Sequence, residues 1–213
     1  MKDYTEADWK RYVSAYYELI EKVDNHLGRI LDALEARGLR ERTLVVYTSD
    51  HGDMAGSHGL PFKGPFMYDE LLRVPFIVSW PDTLPQGVPC NELVSNIDVA
   101  PTLCAAGNID WPERFVGRDL ATLFKDPTTP WRDEIFAEYY AKQHWANPIR
   151  TVRTQRWKYN LYLDGGEELY DLSKRPLEVH NLAGAEECRA IQEDLSQRLL
   201  TWRRETEDPF LRA

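Results

Sequence analysis

The sequence predicts an α/β fold in which a partial sheet is flanked by helices, followed by a small C-terminal antiparallel sheet with a closing helix. Three observations predict it: one long amphipathic segment, two apolar β-branched runs after it, and several short alternating segments near the C-terminus. A helix followed by a short loop and a buried strand is half of a βαβ unit, so we expect the two apolar runs in a mainly parallel sheet. The change of pattern divides the chain into two predicted regions, 1–140 and 141–213.

The first element is a predicted helix over residues 6–37. Thr5 is its expected N-cap, with Asp8 three residues further on, and Gly38 is placed to end it. Gly28 inside the helix costs about 1 kcal/mol relative to alanine, and a close contact between helix and sheet there would explain why it is tolerated. Apolar residues recur at helical spacing, which indicates one buried face: Tyr12, Tyr16, Leu19, Ile20, Val23, Leu27, Ile30, Leu31 and Leu34.

The strands follow the helix. Residues 43–48 are an apolar β-branched run that leads directly into polar residues, and residues 74–80 form a second such run. The glycine- and proline-rich stretch between them predicts a long loop, a feature that is often functional in compact domains. Further along, short strands and one closing helix are expected. The ranges are 135–140, 149–154, 158–163 and 168–172 for the strands and 185–205 for the helix.

Composition limits the classes of function. The 213 residues are 43% hydrophobic and carry a formal charge of −9, so the chain is globular and nucleic acid is not expected as a partner. A small anionic substrate stays compatible, because one lysine and one cation can dominate a cleft locally. The three cysteines, Cys90, Cys104 and Cys188, form no CxxC pair and suggest neither a disulfide framework nor a zinc site. No apolar run approaches the roughly 18 residues that cross a membrane, so no membrane partner is expected, and localisation stays open.

The chemistry is concentrated in residues 49–64, at the end of the first predicted strand. In open α/β sheets, ligands bind beyond the carboxyl ends of strands. Asp50 offers hard oxygen ligands and His51 an imidazole nitrogen, so the two can converge on one metal ion, while Lys63 can meet a substrate anion. The structural alternatives are a common Asp-His-Gly turn, a solvated lysine, and a histidine (His58) that only hydrogen-bonds within the loop.

Several segments together resemble one known family. A long tyrosine-rich helix is followed by TLVVYTSDHGD (43–53), GSHGLPFKGPFMYDE (56–70) and RVPFIVSWP (73–81). Further on come DVAPT (98–102), RWKY (156–159), ELYDL (168–172) and HNLA (180–183). Read in order, they resemble the sulfatases, members of the alkaline-phosphatase-like superfamily, over essentially the whole chain. The implied fold is the C-terminal part of an alkaline-phosphatase-like catalytic domain over 1–140, with the small subdomain over 141–213.

The resemblance also implies roles for site residues. Asp50 and His51 match two metal ligands, with histidine standing where many members have asparagine. Lys63 matches a lysine that contacts the sulfate, and His58 lies where some members place a histidine facing the substrate. Lys63 and His58 are thus the candidate catalytic and substrate-binding residues. The implied cofactor is a divalent metal, Ca²⁺ by family default, with Mn²⁺ also compatible with an imidazole ligand.

The family's nucleophile is a formylglycine made from the cysteine of a CxPSR-like motif, and none of the three cysteines here lies in such a motif. We therefore expect the chain to follow a catalytic segment, to need the N-terminal half of the domain as a partner, and to be inactive alone. The expected function is hydrolysis of a small sulfuric ester. The alternatives are a phosphonate or phosphate ester hydrolase of the same superfamily, and a non-catalytic truncated module that binds anions.

Overall fold

The computed structural model describes residues 4–126, 128–142, 145–174 and 178–212. These residues form two compact units, each built from several stretches of the chain. The N-terminal unit comprises residues 1–63, 73–90 and 96–129, and the C-terminal unit comprises residues 64–72, 91–95 and 130–213.

Helix α1 (Glu6–Ala36) begins and ends close to its predicted limits. The Thr5 side chain accepts a hydrogen bond from Asp8 N, and the Asp8 side chain accepts one from Thr5 N in return, which forms the predicted capping box. Gly38 adopts a left-handed φ of 60° just beyond the helix end. The close contact that would explain Gly28 is not present among the described residues, because a Cβ added there would have no atom within 4 Å. No residue of α1 is fully buried.

Strands β1 (Val45–Thr48) and β2 (Phe76–Ser79) form a two-stranded sheet. They pair antiparallel, with Val46 opposite Val78, so the expectation of parallel pairing is wrong for these two strands. An apolar β-branched run predicts a buried strand but carries no information about direction, because both directions use the same residue types. The N-terminal unit also contains the short helices α3 (Val99–Ala106) and α4 (Ala121–Lys125).

The C-terminal unit contains a four-stranded antiparallel sheet in the order β3-β4-β5-β6. The predicted small sheet is therefore confirmed, with an additional strand at its edge. The predicted division after residue 140 falls inside β3, which pairs along its length with β4. The strands are β3 (Glu134–Lys142), β4 (Trp145–Thr154), β5 (Trp157–Tyr162) and β6 (Glu167–Asp171), and the short helix α2 (Asp69–Leu72) belongs to the same unit.

Helix α5 (Arg189–Glu205) closes this sheet, in agreement with the sequence-based expectation. Leu195 and Leu199 of α5 are fully buried, and they pack in one apolar cluster with side chains from three strands. The strand residues of this cluster are Val152, Tyr159 and Leu169. Alternation along each strand directs these side chains to one face, which is why short alternating segments were a reliable signal here.

The opposite face of the sheet carries a buried ionic cluster. The Lys158 ammonium lies 2.8 Å from Asp69 Oδ1 and pairs also with Glu178, and all three side chains are nearly inaccessible to solvent. Arg153 donates two hydrogen bonds to Asp69, at 2.9 and 3.2 Å. Glu178 Oε2 also accepts a hydrogen bond from Asp69 N at 2.7 Å. Both carboxylates of the cluster are thus paired with a cationic side chain. These pairs tie the α2 segment to strands β4 and β5.

Candidate functional site

The candidate site begins where β1 ends. Ser49 follows the last strand residue, and its carbonyl accepts a hydrogen bond from Asn96 Nδ2 at 2.8 Å. The Ser49 hydroxyl donates to the carbonyl of His51 at 2.8 Å. The chain is thus held at the strand end by contacts on both sides of Asp50.

Asp50 is an exposed carboxylate held in one orientation by the backbone. Its Oδ1 accepts a hydrogen bond from His51 N at 3.0 Å. That bond is the main cause that lowers the pKa of Asp50 below its usual value, and the nearby Lys63 ammonium lowers it further. Asp50 is therefore ionised at neutral pH, the state in which a carboxylate binds a cation.

His51 is oriented by its own backbone neighbour. Its Nδ1 lies 2.7 Å from the carbonyl oxygen of Gly52. Because a carbonyl only accepts, Nδ1 carries the ring proton and Nε2 presents its lone pair. Nε2 lies 3.5 Å from Asp50 Oδ2, so the two donor atoms point to a common region. This is the arrangement by which an outer hydrogen bond prepares a histidine for a metal.

Lys63, at the far end of the loop, lies beside the His51 ring. Its Nζ lies 2.5 Å from His51 Nε2. The structure therefore brings together Asp50, His51 and Lys63, as expected from the sequence, while their chemical roles stay predictions. His58 lies in the same loop, exposed, in a 3-10 turn (Ser57–Gly59) with a left-handed φ of 55°.

The donor set fits part of a divalent-metal site. One carboxylate and one imidazole nitrogen converge, and a lysine ammonium lies on the lone pair that a cation would use. Among the residues that the structure describes, no group of three or more His, Cys, Asp or Glu side chains could hold a metal. Because Ca²⁺ takes six to eight oxygen ligands, this pair could hold such an ion only together with further donors.

Two residues of this region were not predicted as part of the site. The Tyr12 hydroxyl of α1 donates to Asp53 Oδ1 at 3.2 Å, although Tyr12 was assigned only to the apolar face of the helix. Burial and the nearby Asp53 carboxylate raise the pKa of Tyr12 to about 12, so it is a donor at neutral pH. The two positions are 41 residues apart, and no sequence motif links them.

Comparison with known proteins identifies the chain's relatives. A sulfatase family model matches residues 1–109, and a model described as N-sulphoglucosamine sulphohydrolase, C-terminal, matches residues 56–205. The chain is 31% identical over 199 residues to an ulvan-active sulfatase from Formosa agariphila. That match covers 91% of this chain and 39% of the relative. The chain thus spans about two fifths of the length of this curated relative.

Solved structures that resemble this chain also include hydrolases. The chain resembles a protein in complex with its substrate D-glucosamine-2-N,6-O-disulfate, with a TM-score of 0.89, 28% identity, and coverage of 97% of this chain and 43% of that one. It also resembles a phosphonate monoester hydrolase from Agrobacterium radiobacter, with a TM-score of 0.82, 28% identity, and coverage of 95% and 43%.

These neighbours define the class of fold as alkaline-phosphatase-like. Within that class, the chain belongs to the sulfatase family of hydrolases. In the part of the chain that the structure describes, no helix is both long and apolar enough to cross a membrane.

Proposed function

We propose that this chain is the C-terminal part of a catalytic unit that hydrolyses sulfuric esters. The observation that carries the proposal is the convergence of Asp50 Oδ2, His51 Nε2 and Lys63 Nζ at the end of β1. An acidic oxygen and an imidazole nitrogen suit a divalent cation, Ca²⁺ or Mn²⁺, and an adjacent ammonium suits an anion. Family membership makes sulfate the expected anion.

Each residue has a defined task in this proposal. Asp50 and His51 hold one side of the cation, with the Gly52 carbonyl keeping the ring nitrogen Nε2 free to bind. A bound cation supplies positive charge to the sulfate oxygens, and a formylglycine from another segment supplies the nucleophile. Lys63 binds the sulfate oxygens and stabilises the charge that develops on them, and His58 contacts the substrate from the same loop.

The contact of Lys63 with His51 places a positive charge beside the imidazole nitrogen that would hold a cation. A sulfate bound to that cation would therefore lie within reach of the flexible Lys63 side chain.

The partner in this proposal is the N-terminal half of the catalytic domain, which supplies the nucleophile and the remaining metal ligands. The length of the relatives leaves room for such a segment. Two-stranded sheets are marginal alone, which favours further strands beside β1 and β2. We expect this N-terminal half to cover a groove of about 600 Å³ beside α1, whose lining includes the apolar Ile20, Leu27 and Ile77 and the acidic Glu18, Glu21 and Asp24. The surface that α1 presents is therefore apolar with acidic side chains, and it fits a partner with apolar and basic residues.

The test uses the complete enzyme that contains this chain, with metal titration and steady-state kinetics on an aryl sulfate. Asp50→Ala should weaken metal binding and lower kcat, whereas Asp110→Ala, at an exposed position away from α1, is the matched control. Lys63→Ala should mostly spare metal affinity and lower kcat by up to about a hundredfold, because one charged contact to the developing charge is lost. Full metal affinity and full kcat in Asp50→Ala would contradict the assignment.

A second candidate function is hydrolysis of phosphonate monoesters. It is favoured by the similarity to the Agrobacterium radiobacter hydrolase, whose identity to this chain equals that of the enzyme bound to the sulfated sugar. The ratio of kcat/KM for an aryl sulfate and an aryl phosphonate monoester in the complete enzyme separates the two. A ratio above one supports the sulfatase, and a ratio well below one supports the phosphonate hydrolase.

A further inference from the structure

The loop between His51 and Lys63 has an unusual backbone. Four of its residues have left-handed φ angles: Ala55 (47°), Gly56 (99°), His58 (55°) and Gly59 (71°). The loop closes on itself, because Gly56 N donates to Leu60 O at 2.9 Å and Leu60 N donates to Ser57 O at 3.0 Å. Left-handed backbone at alanine and histidine costs free energy, so surrounding contacts must offset it.

The first turns of α1 supply those contacts. The Tyr12 hydroxyl donates to Asp53 Oδ1, which also accepts from Ala55 N at 3.1 Å and so fixes the start of the loop. Trp9 packs against Gly56 so closely that a Cβ there would lie 3.2 Å from its ring. The Tyr12 ring meets the Phe62 ring edge-on, with centroids 5.7 Å apart, at the end of the loop.

Tyr12 therefore touches the loop at both ends. Asp53 is two residues after His51, and Phe62 is the residue before Lys63. Ordering a loop of this length costs conformational entropy, and a catalytic group displaced by about 1 Å can lose much of its effect. The contacts of one side chain thus restrain both the metal-ligand end and the anion-binding end of the loop.

We propose that Tyr12 and Asp53 are positioning residues that hold in place the two ends of the loop that carries Lys63 and His58. This inference rests on the proposed role of Lys63 and adds two residues that touch neither substrate nor metal. It gives α1 a task beyond packing: its first turns set the geometry of the loop that carries Lys63 and His58. The hydroxyl of Tyr12 is the essential group, because the ring contact with Phe62 survives its removal.

The experiment measures the reactivity of Lys63 in the full chain by pulse acetylation and peptide mass spectrometry, with exposed Lys10 as internal reference. Tyr12→Phe removes only the hydroxyl. The loss of one hydrogen bond should raise the populated fraction of the opened loop, and so the Lys63-to-Lys10 labelling ratio, by about fivefold. Tyr17→Phe, which removes the hydroxyl of an exposed tyrosine on the same helix, is the matched control and should leave the ratio unchanged.

Asp53 provides a second set of variants. Asp53→Ala should raise the ratio as Tyr12→Phe does, whereas Asp53→Asn keeps an accepting oxygen and should largely restore the native ratio. The double variant Tyr12→Phe with Asp53→Ala should show no further rise over Asp53→Ala alone, because Asp53→Ala already removes the acceptor of the Tyr12 hydroxyl. A ratio equal to the native value in Tyr12→Phe and Asp53→Ala, even with lowered thermal stability, would overturn the proposal and leave a purely structural role.

The labelling needs neither metal nor turnover, so its failure is distinct from failure of the proposed function. If Lys63→Ala leaves sulfate hydrolysis by the complete enzyme intact while Tyr12→Phe still raises the labelling ratio, the catalytic role of Lys63 fails and the positioning stands. If Lys63→Ala impairs hydrolysis but Tyr12→Phe leaves the labelling ratio native, the positioning fails and the proposed function stands.

Discussion

Helices α1 and α5 are both amphipathic, but they use their apolar faces differently. The 17-residue α5 buries Leu195 and Leu199 completely against the C-terminal sheet. The 31-residue α1 has no fully buried residue, and it leaves large apolar side chains about half exposed or more. These are Tyr17, Leu19, Ile20, Val23 and Ile30.

The difference shows which part of this chain buries its apolar surface without further protein. The C-terminal sheet and α5 cover each other, so their sequence pattern and their burial agree. A helix with a broad apolar stripe is expected to bury it against other elements. The exposed stripe of α1 therefore marks a surface that fits additional protein, consistent with the proposal that the N-terminal half of a sulfatase catalytic domain covers it.

The largest expected effect comes from truncating one leucine in each helix. Leu199→Ala should cost about 2–5 kcal/mol, because it leaves a cavity in the closed core, whereas Leu19→Ala in the isolated chain should change stability by only about 0.5 kcal/mol. Native-state hydrogen exchange measures the two losses of stability, with the β5 amides reporting on Leu199→Ala and the α1 amides on Leu19→Ala. An equal cost for the two variants in the isolated chain would contradict the difference in burial between α1 and α5. A larger cost of Leu19→Ala in the complete enzyme would show that other protein covers α1.

The next effect concerns the acid stability of the C-terminal unit. Burial raises the pKa of Asp69, but hydrogen bonds and ion pairs from Arg153 and Lys158 outweigh it and bring the pKa down to about 2. A lowered folded-state pKa contributes stability above the unfolded value, and that stability is lost as pH falls through the folded value. We therefore expect a loss of roughly 2 kcal/mol between about pH 4 and pH 2.

Glu178 affects stability in the opposite direction. Burial raises its pKa even though the nearby Lys158 ammonium lowers it, so the folded state takes up a proton at Glu178 as the pH falls. That uptake stabilises the folded state and offsets part of the stability lost at Asp69. Unfolding of the C-terminal unit across this pH range provides the measurement. Asp69→Asn should flatten the pH dependence, while Asp32→Asn on exposed α1 should leave it as it is. An unchanged pH profile in Asp69→Asn would show that the ionic cluster does not control acid stability.

The smallest effect contrasts two glycines of the N-terminal unit. Gly28→Ala should stabilise the chain by about 0.5–1 kcal/mol, because the position is helical and open, and alanine has the higher helix propensity. Gly56→Ala should destabilise it by about 1–2 kcal/mol, because φ is 99° and the new Cβ would press on Trp9. Thermal unfolding compares the two variants, and stabilisation by both would show that the loop is not held against α1.

Much of the fold could be predicted because local signals agreed with the final structure. The capping box at Thr5 and Asp8 and the alternating strands of the C-terminal sheet are local patterns, and they are present in the structure. The antiparallel pairing of β1 with β2 could not be predicted, since the direction of pairing is decided by contacts between distant residues. Strand β3 differs, because it pairs with β4, the next strand along the chain, and the change of sequence pattern near residue 149 gave no sign of that pairing.

The site divides in the same way. Asp50, His51 and Lys63 were predictable from one continuous segment at a strand end, together with the family resemblance. The contact of Tyr12 with Asp53 was not, because it joins the middle of an apolar helix face to a loop. The buried Lys158 was also unpredictable, since a lysine in an alternating strand is ordinarily solvated.

The most direct test of the central claim, that this chain provides the metal and anion side of a sulfatase site without its nucleophile, is turnover of an aryl sulfate. The purified 213-residue chain is measured with saturating Ca²⁺ or Mn²⁺ beside the complete enzyme that contains it. We predict turnover by the complete enzyme, lost in Asp50→Ala, and none by the chain alone, because binding groups do not replace a missing nucleophile. Robust turnover by the chain alone, abolished by substitution of Cys90, Cys104 or Cys188, would contradict the account.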